Sequence, residues 1–115
     1  MYLWIRVDLP VEQQIVQAAH SALEAGRELG IPSTPSHLIL LEAKSEYALL
    51  RIAADLKHQN IRHHLFFEPD NERGHTSLTT EPLSEVSDRA YFSKHNLYRY
   101  RAERSYSIKN ESSFN

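Results

Sequence analysis

The chain has 115 residues, of which 41% are hydrophobic and 24% charged, enough for one folded domain and too few for two. It contains no cysteine, which excludes disulfides, thiolate catalysis and cysteine metal sites, and a reducing cytoplasm is its expected location. No apolar run approaches the ~20 residues that span a bilayer. The first residues lack the basic stretch and cleavage site of a signal peptide, so we expect a soluble protein without a membrane partner.

The first half of the chain predicts two strands separated by a helix. Residues 2–7 are rich in aromatic and β-branched side chains and predict a buried strand. Apolar residues at helical spacing predict a helix over residues 11–29, packed on the sheet through Ile15, Ala18 and Ala22. Residues 37–41 are continuously apolar, which is typical of a strand covered on both faces.

The second half predicts a helix, a hairpin and a last helix. Ser45 is a suitable N-cap for a helix that ends at Asn60, a residue that tolerates the left-handed conformation. Residues 62–68 and 76–81 predict strands joined by the polar loop 69–74, and a last helix is expected from residue 82 or 84 to about residue 94.

This order, β-α-β-α-β-β-α, predicts an α/β fold with three layers, α/β/α, around a four-stranded mixed sheet. Residues 1–98 form the expected domain, and residues 99–115 a basic, flexible tail. Ligands of such sheets bind beside the carboxyl ends of the parallel strands. That edge gathers Asp8, the start of the first helix and the loop after Glu68.

Charge is distributed unevenly along the chain. Residues 1–88 hold seven Lys/Arg and thirteen Asp/Glu, whereas residues 89–115 hold six and two, interleaved with tyrosines. Cations can neutralise phosphates and tyrosines can stack on bases, so Lys94, Arg99 and Arg101 are candidate RNA-binding residues. The alternative is a solvated tail that binds nothing.

Two clusters of polar residues could form a site. Gln13, Gln17 and His20 lie on neighbouring turns of the first helix, although an isolated helix histidine is often only hydrogen-bonded structure. The loop from Glu68 to Thr76 includes Arg73 and can supply a carboxylate, a cation and a hydroxyl, or be an ordinary surface loop. His63 and His64 point to opposite faces of a strand, so we expect no metal site.

The first strand, followed by Ile15-Val16-Gln17-Ala18-Ala19-His20-Ser21-Ala22, resembles the opening of the type II peptidyl-tRNA hydrolases. Residues 49–67 resemble the second helix and third strand of that family, and residues 76–82, TSLTTEP, its fourth strand. The resemblance covers roughly residues 2–98 and is nearest to the divergent branch called peptidyl-tRNA hydrolase domain-containing proteins. It implies hydrolysis of the ester between a peptide and the 3′ ribose of tRNA, without a cofactor.

Carried onto this chain, the family's functional positions match in part. Gln17 and His20 match its helix, and Thr76 its strand-four threonine. Gln13 occupies the position of an important lysine, and Glu68 that of the aspartate in an Asp-Ala-Gly-Arg-Thr motif whose remainder is missing in register. Loss of the lysine removes a cation, and the longer Glu68 moves the carboxylate by about 1 Å.

Three functions remain open. The first is an esterase for peptidyl-tRNA, with His20, Glu68 and Thr76 catalytic and with Gln13, Gln17, Arg73, Lys94, Arg99 and Arg101 binding the substrate. The second is a catalytically weakened module of the same fold that binds tRNA or another RNA. The third is a protein-interaction domain. A second copy of the chain is a further candidate partner.

Overall fold

The computed structural model describes residues 1–31, 33, 37–83 and 90–99. Four strands and two α-helices follow one another along this part of the chain, in the predicted order up to the fourth strand. They are β1 (Tyr2–Arg6), α1 (Val11–Leu29), β2 (Ile39–Ala43), α2 (Glu46–His58), β3 (His63–Glu68) and β4 (Gly74–Thr80).

The strands form one mixed sheet in the order β2-β1-β4-β3. β1 is parallel to β2, and β4 is antiparallel to both β1 and β3. β1, β2 and β3 therefore run in one direction, and their carboxyl ends share one edge of the sheet, which we call the carboxyl edge. The predicted four-stranded mixed sheet is confirmed.

The hydrophobic core lies between α2 and the sheet. Leu49, Ile52 and Leu56 of α2 are buried together with Trp4 of β1 and Leu78 of β4. The helix begins as the sequence predicts, because the Ser45 side chain accepts a hydrogen bond of 3.1 Å from the backbone N–H of Ala48. It stops where Asn60 adopts the left-handed conformation, with φ of 60°.

α1 packs on the sheet through a polar face. Its buried residues are Gln14, Gln17, Ser21 and Ala25. The prediction that Ile15 packs on the sheet is wrong, since Ile15 is 66% exposed, and Ala18 and Ala22 are only partly buried. The reason is the surface that α1 meets: β4 presents Ser77 and Thr79, and buried hydroxyls need hydrogen-bond partners. Ser21 and Thr79 form a hydrogen bond with each other, with 2.7 Å between their hydroxyl oxygens.

The helices contact side chains that alternate along β4. Thr79 bonds to α1, whereas its neighbour Leu78 packs with α2, and successive side chains of a strand point to opposite faces. Of the expected last helix, residues 84–89 lie outside the described part, and residues 90–92 are helical. The complete three-layer arrangement therefore stays a prediction.

Two predicted boundaries shift. β2 begins at Ile39 and extends to Ala43, two residues beyond the expected end, because it pairs along the whole of β1. After the last helical turn, the chain lies beside β2, an edge strand of the sheet in the order above. There Leu97 forms an antiparallel bridge to Leu41. Tyr98 then donates its hydroxyl to the Gln14 side chain at 2.7 Å. The expected tail lies, from residue 100 onward, outside the described residues.

Within the described residues, no helix combines the length and apolar character needed to cross a membrane.

Candidate active site at the carboxyl edge

A β-bulge on β4 prepares the site. Phe66 pairs with Ser77 and Phe67 with His75, so Thr76 between them has no partner on β3. Both hydroxyls of the pair Thr76-Ser77 reach α1. Ser77 Oγ donates to the backbone carbonyl of Gln17 at 3.2 Å, and Thr76 Oγ1 donates to the Gln17 side-chain carbonyl at 2.8 Å.

The Gln17 side chain joins Thr76 to Glu68. Its Oε1 accepts the Thr76 hydroxyl, and its Nε2 donates to Glu68 Oε2 at 3.1 Å. Because an ionised carboxylate can only accept, Glu68 fixes the N–H₂ end of the Gln17 amide toward itself, and the carbonyl end is left to accept the Thr76 hydroxyl. Gln17 is 2% exposed and Thr76 fully buried, so the partly buried Glu68 is the member of this trio nearest to solvent.

The Glu68 carboxylate is held in its ionised form. The Gln17 amide, and then the backbone N–H of Asp70 at 3.2 Å from Oε1, lower the pKa of Glu68 below its ordinary value. The charges of His20 and Arg73 act in the same direction. Each carboxylate oxygen thus accepts one protein N–H and keeps further lone pairs for a water molecule or a substrate hydroxyl.

The other two predicted residues of α1, His20 and Gln13, lie outside this trio. His20 is exposed, and its ring meets that of Phe66 edge-on with 5.4 Å between centroids. The ring is close enough to Glu68 that a positive charge on it lowers the pKa of the carboxyl group. Gln13 is partly buried one helical turn before Gln17, on the same side of α1.

The loop that carries Arg73 is tied to β1. Arg6 donates to the backbone carbonyls of Arg73 at 2.6 Å and of His75 at 3.1 Å. The same guanidinium makes two hydrogen bonds of 2.9 Å to the Asp8 carboxylate, which raise the pKa of Arg6. The sequence predicted that Asp8 and this loop gather at the carboxyl edge, and the structure confirms it. The sequence did not identify Arg6 as a residue of this site.

A second missed group is the pair formed by Glu46 and His75. Glu46 Oε2 accepts the backbone N–H of His75 at 2.8 Å and lies 3.2 Å from its Nδ1. These contacts, the backbone one first, lower the pKa of Glu46. Gly74 has φ of 74°, and a side chain there would collide with the Glu46 carboxylate. An acid in the first turn of a helix usually indicates only a favourable interaction with the helix dipole, so the sequence held no signal for this contact.

The predicted cations of the C-terminal segment lie elsewhere. Arg99 and Lys94 are exposed, and Arg99 follows the bridge on β2. Four strand spacings of about 4.8 Å, roughly 19 Å in all, separate that bridge from β3. The structure does not bring these two residues to Glu68, and Arg101 lies outside the described residues.

Among the described residues, no three His, Asp or Glu side chains come together as metal ligands would. No protein-family model matches the chain, and no curated protein matches it significantly.

Proposed function

We propose that this chain is a carboxylic ester hydrolase acting on the ester that joins a peptide to the 3′ ribose of tRNA. The observation that carries the proposal is the bridge from Thr76 through Gln17 to Glu68. It joins three positions that the resemblance to type II peptidyl-tRNA hydrolases selects independently, although Gln17 lies more than 50 residues from the other two in the chain.

In this proposal Glu68 orients the attacking water. A carboxylate with a lowered pKa is a weak base, which favours holding water over deprotonating it. His20 is exposed beside Glu68 and is the group that accepts the proton when the hydroxyl adds to the ester carbonyl. The carbon–oxygen bond to the ribose then breaks, and the 3′ oxygen takes that proton back from His20.

Other residues position these groups. Thr76 is fully buried, so it acts through Gln17 and not by touching the substrate. Arg73, whose charge already reaches Glu68, supplies the cation that the developing oxyanion requires. Gln13 has the reach to donate a hydrogen bond to the substrate from the first turn of α1 but carries no charge.

The test is hydrolysis of an N-acetylated aminoacyl-tRNA by the purified chain and two variants. Glu68→Gln keeps the size of the side chain but removes its charge, and should lower kcat/KM about 100-fold or more. Glu12→Gln, which removes an exposed carboxylate on α1 by the same substitution, is the matched control and should leave the rate unchanged. No hydrolysis by the wild-type chain, or equal rates for the chain and Glu68→Gln, would refute the proposal.

A second function, RNA binding without catalysis, is favoured by one observation. Gln13 offers no cation at the position of the family's lysine, so catalytic power could be lost while the fold remains. The same tRNA, intact and deacylated, distinguishes the two in a binding assay, since a binding module retains both and hydrolyses neither.

A further inference from the structure

A pocket of about 360 Å³ lies at the end of the sheet opposite the carboxyl edge. It is formed where α1 ends, where α2 turns into β3, and where β3 begins. Its lining residues are Leu29, Lys57, Asn60, Ile61, Arg62 and His63. The five residue steps from His63 to Glu68 place it about 17 Å from the candidate active site, so the two are separate.

The lining is cationic on an apolar floor. Lys57 and Arg62 contribute nitrogen donors, His63 contributes a ring nitrogen, Leu29 and Ile61 contribute hydrocarbon, and none of the lining residues is acidic. No ion pair among the described residues involves Lys57 or Arg62. Glu81 contacts the lining residue Arg62, but its Oε2 accepts the backbone N–H of Arg62 at 3.1 Å and forms no ion pair with the guanidinium. The two side-chain cations repel each other across the concave surface, and an anion between them relieves that repulsion.

Three backbone acceptors at the end of α2 are already used. The C-terminal end of a helix normally presents carbonyl oxygens, which would oppose an anion. Here the carbonyls of Asp55, Leu56 and Lys57 accept the N–H groups of Gln59, Ile61 and Asn60, at distances of 3.0 to 3.1 Å. Asn60, in the left-handed conformation, allows these hydrogen bonds to form. It also turns the chain so that Lys57 and Arg62 line one pocket.

His63 adds an oriented ring. Its Nδ1 lies 2.9 Å from the carbonyl oxygen of Ile61, and a carbonyl can only accept, so this nitrogen carries a proton and Nε2 is left for a ligand. The pocket thus combines two exposed cations, an oriented imidazole and an apolar wall, in a volume at the small end of the roughly 300–1,000 Å³ usual for ligand sites.

We infer that this pocket binds one nucleotide unit, with the phosphate group between Lys57 and Arg62 and the apolar wall of Leu29 and Ile61 against the base or sugar. The inference does not depend on the proposed hydrolysis. Phosphate is the anion for which Arg offers a matching fork and Lys a compact charge. The same chemistry is presented by a free mononucleotide and by one residue of an RNA strand.

The test is titration of the full chain, followed through the backbone amide NMR signals of residues 57–63. The probes are inorganic phosphate, a nucleoside 5′-monophosphate and a single-stranded hexaribonucleotide. We expect the mononucleotide to bind more tightly than phosphate. Lys57→Gln and Arg62→Gln should each weaken it about tenfold or more, since each removes a charge-assisted hydrogen bond. Arg51→Gln, which removes an exposed charge elsewhere on α2, is the matched control and should change nothing.

The hexanucleotide distinguishes the two sources. If it competes with the mononucleotide for the same amides and binds more tightly, the pocket accepts one residue of an RNA strand; if it does not compete, the ligand is a free nucleotide. Both outcomes support the inference. Undisturbed amides with all three probes, or binding that survives both Lys57→Gln and Arg62→Gln, would overturn it, and thermal melting curves would verify that the variants remain folded.

Discussion

The two helices bury opposite kinds of side chain. α2 packs on the sheet with Leu49, Ile52 and Leu56, whereas α1 packs on it with Gln14, Gln17 and Ser21. Apolar packing is non-directional and tolerates repacking. A buried amide must meet particular donors and acceptors. α2 therefore holds the fold together, and α1 fixes the orientation of groups at the carboxyl edge.

The largest effect should come from the face of α2. Leu49 is fully buried and its neighbour Leu50 is 39% exposed, which makes them a matched pair. Leu49→Ala should lower the free energy of unfolding by about 2–5 kcal/mol, because it removes buried hydrocarbon and leaves a cavity. Leu50→Ala should cost much less. Urea unfolding curves measure both, and equal midpoints for the two variants would contradict the description of this core.

The polar face of α1 should respond differently to single and double changes. Gln17→Leu leaves the buried Thr76 hydroxyl without its acceptor and should cost about 1–3 kcal/mol. Adding Thr76→Val removes that unsatisfied group and should recover part of the loss. A double-mutant cycle by urea unfolding measures the coupling, and strictly additive losses would show that the two side chains do not interact.

Stability should also depend on pH where the C-terminal segment meets β1. Trp4 Nε1 donates to His95 Nδ1 at 3.3 Å, and burial lowers the pKa of His95 below its ordinary value of 6.5. The folded chain thus favours neutral His95. Its contribution to stability is complete above pH 6.5 and decreases as the pH falls toward the folded-state value. Thermal unfolding at pH 8 and pH 5 should show a smaller loss for His95→Asn than for the wild type, and identical losses would contradict this.

The smallest effect should come from the outer face of α1. Ile15 is 66% and Leu23 71% exposed, so neither adds much to the core. Ile15→Ser and Leu23→Ser should each change the free energy of unfolding by less than about 0.5 kcal/mol, the range usual for surface positions. A loss of several kcal/mol in the monomeric chain would place these side chains against the sheet, as the spacing predicts for Ile15.

The contrast between the helices also explains what the sequence could predict. α2 obeys the rule that apolar residues at helical spacing face the core, and its Ser45 cap and Asn60 stop were read correctly. The same rule failed on α1, because β4 offers α1 the hydroxyls of Thr76, Ser77 and Thr79. The spacing of apolar residues describes the helix alone and carries no information about the side chains of the strand on which the helix packs.

The candidate site shows the same division. Strand direction predicted that the start of α1 and the loop after Glu68 share one edge, because that follows from topology. The hydrogen bonds of Arg6 to two loop carbonyls, and of Glu46 to His75, depend on left-handed residues in the loop, at Asn71, Glu72 and Gly74. A glycine in the sequence is a strong indicator of the left-handed conformation. Asn71 and Glu72 are weaker indicators of it.

The most direct test of the central claim is the hydrolytic rate of the double variant Gln17→Leu/Thr76→Val. It keeps the volume and burial of both side chains but removes the hydrogen bond that orients Glu68. Our account predicts a folded protein whose kcat/KM on N-acetylated aminoacyl-tRNA falls about 100-fold, the usual cost of a misplaced catalytic group. A folded double variant with the wild-type rate would contradict it.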